Sequence, residues 1–390
     1  MIKKLDKAQC CGCSACVSIC PRNCITMAQD EEGFYYPNID KQNCVDCGLC
    51  EQVCSFKIEE KQSSVLSCYG AISKDDLLRI ESSSGGIFSL LAEEILSQGG
   101  VVFGVTMSAD CRKAIFCEIF DTKELYRLRG SKYLQAEMNA VYLNIQSELE
   151  KGIRVLFSGT GCQVNGLNSF LRKKYPNLVC VEVICHGVPS QKLWEKYVQV
   201  IEKEHGKLHY VNFRCKDKGW KRFGMKKNDL YISKDEDPYM RLFLNNICLR
   251  PSCYNCKAKQ YKTADISMAD FWGIENIIPR FSDDKGTSLV IVRSDNGNKL
   301  FHSIICKMKF IEVDYAQAVK ENPAEYKSYE CPVERNSFYS DMNSLKFEQL
   351  QKKYLSQITF MSRVKKIVKT IIRGGGGGFK YGIYFNFTEA

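Results

Sequence analysis

The chain has 390 residues, 45% of them hydrophobic, enough for a sizeable core and two or three domains. No apolar run reaches membrane-spanning length and the stretch Met1–Gln9 has no apolar signal core, so a soluble cytoplasmic protein is expected. The net charge of +10 is concentrated near the end, where Lys346–Arg373 holds eight basic residues against Glu348, and nothing resembles a nucleic-acid module.

Ten of the 22 cysteines fall within the first 54 residues. Cys10, Cys13, Cys16 and Cys20 are spaced C-x2-C-x2-C-x3-C and followed by Pro21. Cys44, Cys47, Cys50 and Cys54 repeat the spacing, with Ser55 in the proline's place. Such runs aim three thiolates at one cubane and send the fourth across to the other. One [4Fe–4S] cluster is therefore expected on Cys10, Cys13, Cys16 and Cys54, and a second on Cys44, Cys47, Cys50 and Cys20. A disulfide or zinc knuckle is the alternative, but zinc has no use for a third cysteine in each run. Residues 1–56 thus resemble a bacterial-type two-cluster ferredoxin domain, an α+β fold. Cys11 and Cys24 lie outside the pattern and read as small packing residues near the clusters. A hairpin is expected over Glu31–Ile39, turning at Gly33. Residues 57–67 are a polar linker.

A second pattern follows. Tyr69–Ser73 reads as a strand. Ser82-Ser83-Ser84-Gly85-Gly86 opens an amphipathic helix over Ile87–Ser97. Val101–Met107 and Ala114–Phe120 are strands, Asp121 and Glu124 cap a short helix, and Glu137–Lys151 is helical. Ile153–Phe157, a tight Ser158–Cys162 loop and a helix over Gln163–Lys174 come next. Then come Leu178–Ile184, the Cys185–Ser190 loop and a helix through Lys203. This alternation predicts α/β organisation with parallel strands. Beyond residue 208 the pattern mixes into a mixed sheet, with strands at Tyr210–Arg214, Leu230–Ile232, Asp265–Ala269, Ser288–Val292 and Lys309–Val313. Helices are expected at Tyr239–Asn246 and Asn298–Cys306. Domain boundaries are expected at 68–150 and 151–335, with a basic helical C-terminal tail over 336–390 broken by Gly374–Gly378. One side of that tail, Phe360 to Ile372, is apolar and suits an anionic membrane, its own domain or a partner subunit.

The segments SSSGGIFS, GSKYLQ, FSGTGCQVNGL, CHGVPS, FRCKDKGW, LRPSCYNCK and ADFWG, read together, resemble the β subunit family of coenzyme F420 hydrogenase/dehydrogenase from about Cys68 to Phe301. The resemblance implies an iron–sulfur flavoprotein oxidoreductase with FAD. It implies a hydride-carrying small molecule, coenzyme F420 or another, on one side and ferredoxin or a redox partner protein on the other. Cys253 and Cys256 form a C-x2-C pair, too few for a cluster alone. Cys162 and Cys185 follow two strands, near helix starts that lower a thiol pKa. These four are the expected ligands of a third [4Fe–4S] cluster, with Cys248 in reserve. A zinc knuckle completed by His186, or plain buried cysteines, are the alternatives. For the cofactor, Ser83, Ser84, Gly85, Gly86, Gly159, Thr160 and Gly161 offer backbone donors to a pyrophosphate. Lys132 and Tyr133 suit phosphate or the ring, and Arg214 and Lys216 suit phosphate. Either glycine loop can equally be a structural turn, and Arg214 and Lys216 can equally make surface salt bridges. No catalytic acid or base is evident; His186 is the one side chain suited to relaying a proton. A non-catalytic electron-transfer subunit and an iron–sulfur sensor or scaffold are the rival readings.

Overall fold

The computed structural model describes residues 6–56 and 64–356. Most of the linker and residues 357–390, including the apolar face and the glycine run, lie outside the described residues.

The first module is small. Its hairpin pairs β1 (Ile25–Gln29) with β2 (Tyr35–Ile39) antiparallel, from Ile25 opposite Ile39 to Gln29 opposite Tyr35. Asp30 Oδ1 accepts from the backbone of Glu32 and Phe34, and Gly33 takes φ +84°, which closes the turn. The hairpin thus begins earlier than its sequence signal, because Ile25–Gln29 follows the first cysteine run directly and lacks clear alternation.

The rest is built on a nine-stranded sheet. Its strands are β3 (Ser67–Ser73), β4 (Val101–Met107), β5 (Ala114–Ile119), β6 (Ala136–Glu137), β7 (Val155–Thr160) and β8 (Leu178–Val183), then β12 (Ile266–Asp270), β13 (Ser288–Val292) and β14 (Met308–Glu312). The order is β14-β3-β13-β12-β8-β7-β4-β5-β6. The middle four, β12, β8, β7 and β4, run parallel, while β13, β3, β14 and β5 pair antiparallel. The sheet is mixed, as its sequence implies. Alternation along the central strands sends Leu156, Val179 and Val181 to one face, under the helix Ile87–Ser97. Val155, Phe157 and Cys180 go to the other, under the helices Val141–Glu150 and Gly161–Leu171.

A three-stranded sheet of β9 (Val211–Cys215), β10 (Gly224–Lys227) and β11 (Leu230–Ser233) adjoins a second core around Trp194, Tyr197 and Tyr239. The first part of the expected tail belongs to that core. The helix Arg335–Ser344 and the turns after it bury Phe338, Tyr339, Met342, Phe347 and Leu350. Its surface lysines dominate the composition and hide this apolar face. The same core reaches the first module, where Phe34 is fully buried 5.7 Å from the Tyr339 ring.

Candidate metal centres and cofactor cavity

In the first module, Cys16 is surrounded by the thiols of Cys10, Cys54 and Cys50, and burial first, then those neighbours, push it up to about 12. Cys24 lies 3.4 Å from Cys20 and close to Cys44. Cys54, the last cysteine of the second run, thus lies beside Cys16 of the first, and Cys24 neighbours both Cys20 and Cys44. Cys47 is exposed, as is its neighbour Val45, so the Cys44–Cys50 loop faces solvent.

The parallel register sets the second group. Thr160 of β7 stands opposite Val183 of β8, so Cys162 and Cys185 leave the same sheet edge at matching depth. The turn Pro251–Asn255 brings Cys253 and Cys256 to that edge. All four thiols line one pocket, and Cys11 of the first module joins them. Cys11 is hydrogen-bonded to Cys162 and Cys13, so one residue touches both thiol groups. The helix carrying Cys162 adds a second contact: a Cβ on Gly166 would fall 3.0 Å from Cys13 Sγ. Cys248 is fully buried elsewhere and does not line this pocket.

The expected lowering of these thiols does not occur. The hydrogen bond from Cys11, then burial, push Cys162 well up; burial lifts Cys185 to about 12 and Cys256 to about 11. Cys162 is at a helix start but enclosed, and the helix after Cys185 begins only at Gln191. Desolvation outweighs the helix dipole.

Two buried cations border the thiols. Lys259 Nζ donates to the carbonyls of Cys185 (2.9 Å) and Ala324 (2.7 Å). Arg250 bonds the carbonyls of Cys10 and Tyr35 and the Gln135 amide. Neither makes an ion pair among the described residues, and a buried cation needs an anionic neighbour. Four thiolates on a cubane supply a net negative charge, so the residues fit that group. Among the described residues no set of His, Cys, Asp and Glu closes round a single metal ion; cubane thiolates stand farther apart.

Beside this pocket is a cavity of about 730 Å³, within the range of cofactor sites. Ser83, Ser84, Gly86, Lys132, Tyr133, Gly159, Thr160 and Arg214 line it, as do Cys162, Cys185 and Trp272. Gly85 and Gly161 do not. A Cβ on Gly85 would fall 2.3 Å from the Ala71 carbonyl, so its smallness serves packing on the sheet. Lys132 borders the cavity, but Nζ donates to the carbonyls of Arg127, Leu128 and Arg129, and burial pulls it down to about 7. Lys216 likewise caps the carbonyls of Arg79, Ser84 and Lys285 outside the cavity. Arg214 borders the cavity with its guanidinium ion-paired to Asp270 (2.8 Å) and 3.7 Å from the Phe223 ring, while its Nε has no hydrogen-bond partner. His186 sits between Tyr329 (4.2 Å) and Phe243 (4.8 Å), bordering both cavity and thiol pocket. Burial lowers it to about 4, so it is neutral and Nε2 is unpartnered. A separate groove of about 820 Å³ between Lys74, Arg79 and Phe310 contains no cysteine.

Sequence reasoning missed Cys11, Arg250 and Lys259 as site residues. Cys11 adjoins a ligand run, and Arg250 and Lys259 flank the C-x2-C pair, but spacing alone gives no sign that they converge.

Residues 9–58 match the family described as 4Fe-4S dicluster domain. Residues 152–318 match the C terminus of the coenzyme F420 hydrogenase/dehydrogenase beta subunit. A region similar to a dicluster domain thus precedes one similar to the C terminus of that beta subunit. The second match takes in Cys162, Cys185, Arg214, Cys253 and Cys256, while the SSSGGIFS and GSKYLQ segments stand outside it. No curated protein matches. Among solved structures, a chain of the F420-reducing [NiFe] hydrogenase complex from Methanosarcina barkeri is similar at 17% identity and TM-score 0.47, covering 78% of this chain and 96% of that one. No helix among the described residues is long and apolar enough to cross a membrane.

Proposed function

We propose that the chain is an iron–sulfur flavoprotein oxidoreductase that passes electrons between a hydride donor or acceptor and one-electron carriers. One observation carries this reading: Cys162 and Cys185 border both the thiol pocket and the 730 Å³ cavity. FAD bound in that cavity would take up or give a hydride and exchange electrons singly. Ser83 and Ser84, beside Gly159, would hold its pyrophosphate, Arg214 would supply positive charge, and Tyr133 and Trp272 would wall the ring. His186, between its two aromatic neighbours, keeps water from the thiols. Cys162, Cys185, Cys253 and Cys256 hold a third cluster.

The thiol groups then form a line. The third site touches the Cys10, Cys13, Cys16, Cys54 set through Cys11. The Cys20, Cys44, Cys47, Cys50 set follows and ends at the surface, where ferredoxin or a partner protein docks. Electrons run either way. The hydride partner is coenzyme F420, a nicotinamide or a sugar-linked substrate.

An absorbance spectrum of the anaerobically purified chain tests this. A flavin band that bleaches with a hydride donor is expected; clusters with no flavin would make the chain a non-catalytic electron-transfer subunit. Flavin with no turnover, and partner binding that follows cluster loss, would make it a sensor or scaffold.

A further inference from the structure

Arg250 lies at the joint between the two modules and is 1% exposed. Its Nε donates to the Cys10 carbonyl (2.7 Å), Nη1 to Gln135 Oε1 (2.9 Å) and Nη2 to the Tyr35 carbonyl (2.9 Å). The Tyr36 ring covers the guanidinium at 4.2 Å. All three acceptors are neutral. Three other buried cations of this fold are matched by acids: Lys227 by Asp237 at 2.6 Å, Lys262 by Glu182 at 2.7 Å, Arg335 by Glu32 at 2.6 Å. Arg250 is not; Lys259, also without an acid, borders the same thiols. A desolvated guanidinium without an anion is strongly unfavourable.

Its surroundings name the anions. Cys10, whose carbonyl it holds, belongs to the first cysteine run. On the other side, the Arg250 carbonyl accepts from Cys253 N, and its own N–H donates to Val188 in the Cys185 loop, both at 2.9 Å. The same charge acts on the Cys162 thiol.

We propose that Arg250 is the shared counter-ion of the two iron–sulfur sites that meet at the joint, holding both at a higher reduction potential than a neutral residue would. When one electron passes between them, one site is oxidised as the other is reduced. The total charge facing Arg250 is unchanged, so a single guanidinium serves both states. Arg250 is a positioning residue, and this role rests on the third site proposed above.

EPR-monitored redox titration of the full anaerobic chain, with iron counted per chain, tests the proposal in wild type, Arg250→Lys, Arg250→Gln and Gln135→Glu. Arg250→Gln lowers the potentials of two clusters and leaves that of the Cys44–Cys50 site unchanged. Arg250→Lys stays near wild type. Gln135→Glu, which keeps the guanidinium but places a carboxylate on it, lowers the same two. Unchanged potentials in Gln135→Glu, equal shifts in Arg250→Lys and Arg250→Gln, or a uniform shift of all clusters would overturn it. A wild-type chain with about eight irons would instead remove the third site. The charge effect would then still be read on the Cys10 site alone.

Discussion

Gly166 tests whether the first cysteine run is seated on the helix Gly161–Leu171. Glycine inside a helix costs about 1 kcal/mol relative to alanine, so Gly166→Ala on a free helix face stabilises by about that amount. Here the added methyl would meet Tyr142 Oη at 2.7 Å, Cys13 Cβ at 2.9 Å and Cys13 Sγ at 3.0 Å. Tyr142 is held by its bond to the Gln163 carbonyl (2.7 Å), and Cys13 by its run, so neither neighbour yields freely. Overpacking of this kind costs about 1–3 kcal/mol. The clash cancels the propensity gain or exceeds it, leaving a net loss of about 0–2 kcal/mol. Anaerobic urea unfolding reads the stability, and the EPR line shape of the reduced clusters reads the push on Cys13. A variant about 1 kcal/mol more stable than wild type, with unchanged EPR, would show that this face is open and the modules are not docked as described.

Three further changes probe other parts of the account. Glu32→Gln takes the charge from a two-pronged pair with buried Arg335 (3.0 and 2.6 Å) and should cost about 1–3 kcal/mol in the same unfolding assay, since the guanidinium keeps one neutral acceptor; no change would mean the pair does not fasten the modules. Arg214→Gln should weaken FAD binding about 10- to 150-fold, the equivalent of one charge-assisted contact, and unaltered binding by flavin titration would place the cofactor elsewhere. Lys132 has a folded pKa of about 7 against an ordinary 10.5, so between those values the unfolded chain holds the proton that the folded chain lacks. Its contribution therefore makes stability rise with pH through that window, by about 1.4 kcal/mol per pH unit at most, and Lys132→Met should flatten the slope between about pH 7.5 and 9. Equal slopes in both proteins would contradict the assignment.

The parts legible in the sequence were those written in local periodicity. The central strands are short apolar runs ended by Gly-rich or Cys-containing loops, and Val101–Met107, Ser288–Val292 and the helix Ile87–Ser97 lie where the pattern puts them. Parallel pairing of β7 and β8 was enough to bring Cys162 and Cys185 to one edge. What could not be read were contacts between distant segments. Arg250 meets Cys10 across 240 positions and Arg335 meets Glu32 across 303, and neither pair has a spacing signal. The carbonyl partners of Lys132 and Lys216 were hidden for a related reason. A lysine near a glycine loop looks ready for phosphate, but here backbone carbonyls had already taken both ammonium groups. The apolar face of Arg335–Ser344 was masked by the basic residues beyond it.

The central claim is that two ferredoxin sites, a third thiol site and a flavin cavity form one line of redox centres. Iron, sulfide and flavin counts per anaerobically purified chain test it most directly. The account predicts about twelve irons, as many sulfides, and one FAD. About eight irons without flavin would leave only the ferredoxin module and contradict it.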